Sequence, residues 1–95
     1  MNNKIEYLKP EFVIHIPREL ESGVLYISEE YGISIHLCAC GCGQQTVLNF
    51  KPQWKDGWEM IKSYEGKISF RPSIGNFNFA CKSHYYITDN KIEWI

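Results

Sequence analysis

Short apolar runs recur along this chain, each cut off by glycine, proline or a polar turn. Phe12-Val13-Ile14-His15-Ile16 is rich in β-branched residues and stops at Pro17. Gly23-Val24-Leu25-Tyr26-Ile27 follows, then Gly32-Ile33-Ser34-Ile35-His36-Leu37 with a clean alternation of apolar and polar positions. Such runs have the period of strands and are too short for packed helices. Thr46-Val47-Leu48-Asn49-Phe50 reads as a hairpin partner closed by Pro52, Trp58 to Tyr64 as a strand in preference to one short helical turn, and Lys67-Ile68-Ser69-Phe70 as a strand ending at Pro72. His84-Tyr85-Tyr86-Ile87 and Lys91-Ile92-Glu93-Trp94-Ile95 flank Thr88-Asp89-Asn90, a favourable hairpin turn. Only Arg18–Ser22 and Ser28–Tyr31 have helical character, one turn each at most. The pattern predicts an all-β or mostly β domain of about seven or eight short strands.

No repeat, low-complexity stretch or linker divides the sequence, so residues 1–95 are expected to form one domain. A chain of this size buries only about 60–65% of its unfolded surface, which makes an added staple valuable. The aromatic share, 15%, is high. Trp54, Trp58, Tyr85, Tyr86 and Trp94 read as core or rim packing, with an exposed subset available to a partner.

The staple has obvious candidates. Cys38, Cys40 and Cys42 lie within one glycine-containing turn, and Cys81-Lys82-Ser83-His84 adds a thiol and an imidazole much later. Two such clusters are how a tetrahedral metal site is assembled from separate turns, and thiolate with imidazole selects zinc. The fold is therefore expected to be zinc-ribbon-like, built around a zinc turn. Five donors, Cys38, Cys40, Cys42, Cys81 and His84, compete for four places. Cys81 and His84 have the spacing of a ligand pair, and one of the three clustered cysteines is expected to be spare, with Cys40 the choice. His36 shares a strand face with Cys38 and reads as a neighbour of the site, a catalytic base or a half-exposed strand residue.

Ten Lys plus Arg against eleven Asp plus Glu leave the chain nearly neutral. That argues against a nucleic-acid partner recognised through its phosphates. Neither the first residues nor any later run has the length of a signal peptide or membrane span, so a cytoplasmic chain with reduced thiols and no membrane partner is expected. One more segment bears on chemistry. In Arg71-Pro72-Ser73-Ile74-Gly75-Asn76, Pro72 and Gly75 shape a turn that can present Ser73 as a nucleophile beside the Asn76 amide, or serve only as a turn.

Taken together, His36-Leu37-Cys38-Ala39-Cys40-Gly41-Cys42-Gly43, Pro72-Ser73-Ile74-Gly75-Asn76 and Cys81-Lys82-Ser83-His84-Tyr85, with Glu21 to Ser28 upstream, resemble a small bacterial family catalogued as domain of unknown function 6527. The resemblance covers nearly the whole chain. It implies a setting beside ubiquitin-like modifiers and their activating and conjugating enzymes, in operons tied to phage defence. It also implies a peptidase that processes or deconjugates the modifier. For a zinc peptidase the sequence has no His-Glu-x-x-His run, and Glu11, Glu19 and Glu21 are the carboxylates in reach. A serine route would leave zinc structural and pair Ser73 or Ser83 with His36; it suits the residues better. The alternative is a non-catalytic zinc module acting as an adaptor for the modifier or its enzymes.

Overall fold

The computed structural model describes residues 4–95. Its strands are β1 Lys9–Phe12, β2 Val24–Ser28, β3 Ile33–Leu37, β4 Gln45–Asn49, β5 Glu59–Lys62, β6 Ile68–Gly75, β7 His84–Thr88 and β8 Lys91–Trp94. No helix forms among the described residues. The strands divide in chain order into two four-stranded sheets, β1-β2-β3-β4 and β5-β6-β7-β8. All neighbours are antiparallel except β1, which runs parallel to β2. Two single bridges join the sheets at their corners, Tyr7 to Lys91 and Phe50 to Trp58.

The core lies between the sheets. Leu25, Ile27 and Leu48 come from the first; Ile68, Phe70, Ile74, Tyr85 and Ile87 come from the second. The Phe50 and Phe70 rings meet edge to face, 5.9 Å between centroids. Each large apolar side chain buried there contributes about 1.5–3 kcal/mol.

Local chemistry explains where strands start and stop. Asp89 and Asn90 both take positive φ, 48° and 69°, as the two-residue turn between β7 and β8 requires. The segment from Phe12 to Ile16 is not itself the strand: pairing occupies Lys9–Phe12 and gives out as the chain heads for Pro17. Beyond it, Val13 N–H still donates to Ile27 O and Ser28 Oγ to Ile14 O. Residues 29–32 are a turn, and 18–22 are irregular, with a bend at 18–19.

Two departures from the expected pattern shape the site. First, β6 does not end at Pro72. Arg71, Pro72 and Ser73 all stand opposite Tyr86, between the pairs Phe70–Ile87 and Ile74–Tyr85. A proline is harmless in such a bulge, where it owes the ladder no N–H, and the bulge re-aims the residue that follows it. Second, the polar residues of β3 face inward. Ser34 and His36 are fully buried, while Ile33, Ile35 and Leu37 are half-exposed. The inward face is the one that leads to Cys38, so the strand accepts buried polar groups: Ser34 Oγ donates to Tyr26 O and His36 Nε2 meets Tyr85 Oη at 2.7 Å, while His36 Nδ1 has no partner among the described residues.

Candidate active site and metal centre

The Sγ atoms of Cys38, Cys40, Cys42 and Cys81 all lie within 4.8 Å of one another, and no histidine or carboxylate among the described residues joins them. Cys38 to Cys40 is 3.5 Å, Cys38 to Cys81 is 3.8 Å and Cys42 to Cys81 is 3.7 Å. Four sulfurs about 2.3 Å from a tetrahedral zinc stand about 3.8 Å apart, so the cluster has the dimensions of a Cys₄ site. Gly41 and Gly43, at φ 90° and 84°, curl the turn that brings Cys42 round.

Donors aim at the sulfurs from outside. The Cys42 amide reaches Cys40 Sγ at 3.3 Å, the Ser83 hydroxyl reaches Cys81 Sγ at 3.2 Å, and Asn76 Nδ2 reaches Cys38 Sγ at 3.2 Å. Burial raises the Cys81 thiol, but the Ser83 hydroxyl and amide and the neighbouring sulfurs outweigh it and bring it down to about 6. Cys42 is pushed up to about 12, first by lost hydration and then by the surrounding sulfurs. One negative charge is welcome in this nest and further ones repel; a divalent cation resolves that conflict.

His84 stands outside the cluster. It opens β7, on the outer face of the second sheet, and its Nε2 lies 2.8 Å from Ser73 Oγ on the β6 bulge. Three neighbours hold the pair. The Trp58 indole N–H donates to Ser73 O at 3.4 Å. Phe77 sets its ring edge against the His84 ring, 5.2 Å between centroids. Gly75, directly across the ladder from His84, leaves room for that ring: a Cβ there would sit 2.3 Å from Phe77 Cε2. Among the described residues no carboxylate bonds the His84 imidazole, so the arrangement is a Ser–His pair.

The structure thus brings Ser73 together with His84 rather than with His36. His36 is wholly buried between the sheets. Tyr85 Oη faces the Ala39 N–H and the Asn76 Nδ2 amide at 3.4 Å each, which leaves its own proton to be donated to His36 Nε2. Burial lowers the His36 pKa to about 4, so the ring is neutral. Asn76 is likewise spent on Cys38 and Tyr85 rather than on an oxyanion, and Ser83 on Cys81. Cys40, expected as the spare donor, lies within the cluster with the other three cysteines, and of the five candidate donors His84 is the one that stands apart. Of the aromatics, Tyr85 is core, Trp58 and Tyr86 are partly buried, and Trp54 and Trp94 remain open to solvent. Sequence reasoning missed Trp58 and Phe77 as supports of the pair, because nothing local distinguishes them from other aromatics.

A serine–histidine pair on a domain with a cysteine cluster agrees with what the chain is similar to. A family model described as BubE, bacterial ubiquitination-like system serine protease, matches residues 12–95. The chain belongs to the BubE family. No curated protein and no solved structure matches it. The BubE match spans every strand except most of β1, and includes the four cysteines, Ser73 and His84. No helix among the described residues is long and apolar enough to cross a membrane.

Proposed function

We propose that this chain is a serine peptidase of a bacterial ubiquitination-like system, with Ser73 as nucleophile, His84 as general base and a structural zinc held by Cys38, Cys40, Cys42 and Cys81. Its substrate is the ubiquitin-like modifier, as precursor or as conjugate. The observation that carries this reading is the 2.8 Å contact between Ser73 Oγ and His84 Nε2 on a bulge that faces solvent.

In this reading Ser73 Oγ attacks the acyl carbon at the modifier's C-terminus as His84 Nε2 takes its proton. The tetrahedral intermediate collapses, the bond to the leaving group breaks, and His84 returns the proton to that group. Water then attacks the Ser73 ester, giving a proton to His84, and collapse regenerates the serine and frees the carboxylate. Zinc held by Cys38, Cys40, Cys42 and Cys81 would supply fold rather than chemistry, because a set of four thiolates is that of structural sites.

The test uses intact mass measurement of the modifier precursor and of conjugates from the same system, incubated with the protein. Cleavage by the parent and its loss in Ser73→Ala, with zinc content and melting unchanged, is the expected outcome. No cleavage of any substrate by the parent would favour the adaptor reading instead.

A further inference from the structure

A cleft of about 260 Å³ opens between β4 and the last part of β6; it begins at Ile74, the residue after Ser73, and at Trp58, whose indole meets Ser73 O. Its walls include Val47, Leu48, Trp58, Ile74, Gly75 and Phe79. The ladder pattern fixes which backbone groups face it. Cys38 N–H donates to Gln44 O and Phe50 N–H to Gly32 O, so Thr46 and Leu48 bond β3 while Gln45 and Val47 turn their N–H and C=O away from it. On the other wall, Asn76 N–H donates to Ser83 O, so Ile74 bonds β7 while Ser73 and Gly75 turn away. The Trp58 indole on Ser73 O confirms that direction. Among the described residues no strand pairs with β6 on this side past Arg71, which stands opposite Glu59, the first residue of β5. The cleft is bounded on both sides by unpaired main chain.

We propose that this cleft binds the acyl-side segment of the substrate as an extended strand, bonded through its main chain to Val47 on one edge and Gly75 on the other. The proposal rests on the peptidase reading above and names where that substrate lies. Two unpaired edges like these recognise an added strand by its backbone, and a volume of about 260 Å³ favours small side chains. The acyl side is the occupant because it stays on Ser73 until water arrives, and because its sequence is constant while the leaving group varies from conjugate to conjugate. A second, wider hollow of about 520 Å³ lies on the opposite side of Ser73 in the chain, lined by Lys51, Glu59, Arg71, Tyr86 and Glu93. Its mixed charges and openness suit a leaving group of no fixed identity.

The experiment measures hydrolysis of fluorogenic peptides that carry the modifier's C-terminal residues before an aminocoumarin, with each amide N-methylated in turn. Such peptides contain the acyl side alone. A strand bonded on both edges turns successive N–H groups to opposite walls, so methylation should lower kcat/KM about five- to tenfold at each of the consecutive residues lying between Val47 and Gly75 and little further along the peptide. In the protein, Val47→Pro removes an N–H that faces only the cleft and should raise KM by a similar factor with zinc content retained. Uniform tolerance of N-methylation by the unaltered protein would overturn the proposal, whatever Val47→Pro does. Labelling by a serine-directed fluorophosphonate separates the cases: labelled protein with flat tolerance sinks the cleft alone. No labelling and no turnover would sink the peptidase reading and the cleft with it.

Discussion

Cys81 and His84 are three positions apart in the chain, yet the sulfur of one closes the thiol cluster while the imidazole of the other lies against Ser73 Oγ. The turn between them, with Lys82 at φ 47°, converts the anchor into a positioning device. Its other end is tied too, because Asn76, the residue after β6, donates to Cys38 Sγ and through its amide N–H to Ser83 O. Both strands that carry the pair therefore leave the same cluster.

From this coupling, metal removal is expected to silence the site without any direct role in the reaction. Chelation or Cys81→Ser should release one zinc per chain, lower the melting temperature by well over 10 °C and abolish cleavage together. Structural zinc sites of this kind supply about 10 kcal/mol or more of folding energy. Metal analysis beside calorimetry checks it; a folded, active, zinc-free protein would refute it.

His84 should be separable from the metal. His84→Ala is expected to lower kcat by about 10²–10⁴-fold while zinc content stays at the parent level. Loss of zinc in that variant would place His84 among the ligands instead.

Gly75 gives a steric test. Its added methyl would meet the Phe77 ring at 2.3 Å, and that ring is what steadies His84. Gly75→Ala should therefore cost about 1–3 kcal/mol in stability and lower kcat, and Phe77→Ala added to it should restore part of the stability by removing the clash. Strictly additive effects of the two changes would rule out the coupling.

Much of this was legible beforehand, for physical reasons that differ by element. The β2, β3, β4, β7 and β8 strands follow from apolar runs bounded by glycine, proline and Asx turns, which act locally. The thiol cluster follows from spacing and redox chemistry. What escaped depends on distant partners. His84 has the two-residue spacing of a zinc ligand after Cys81, and only the arrival of three cysteines from one turn fills the site without it. The bulge that carries Ser73 beyond Pro72 depends on Tyr86 opposite it, and burial of His36 depends on Tyr85, 49 residues away.

That burial makes His36 the clearest source of acid sensitivity. Its folded pKa is near 4 against an ordinary 6.5, caused by removal from water. The unfolded chain therefore binds the proton first as pH falls. Stability from the neutral ring is complete above about 6.5, declines through the window down to about 4, and is gone below it, a loss on the order of 3 kcal/mol. Protonation would also place an N–H where Tyr85 now donates. Replacing the ring with an amide, His36→Gln, keeps an acceptor for Tyr85 but removes the titration. Urea unfolding of zinc-loaded parent and variant between pH 7 and 4.5 separates this from acid release of zinc, which both share. The parent should lose stability more steeply, by about 2 kcal/mol or more across that range. Parallel slopes would show that His36 does not titrate between the folded and unfolded states.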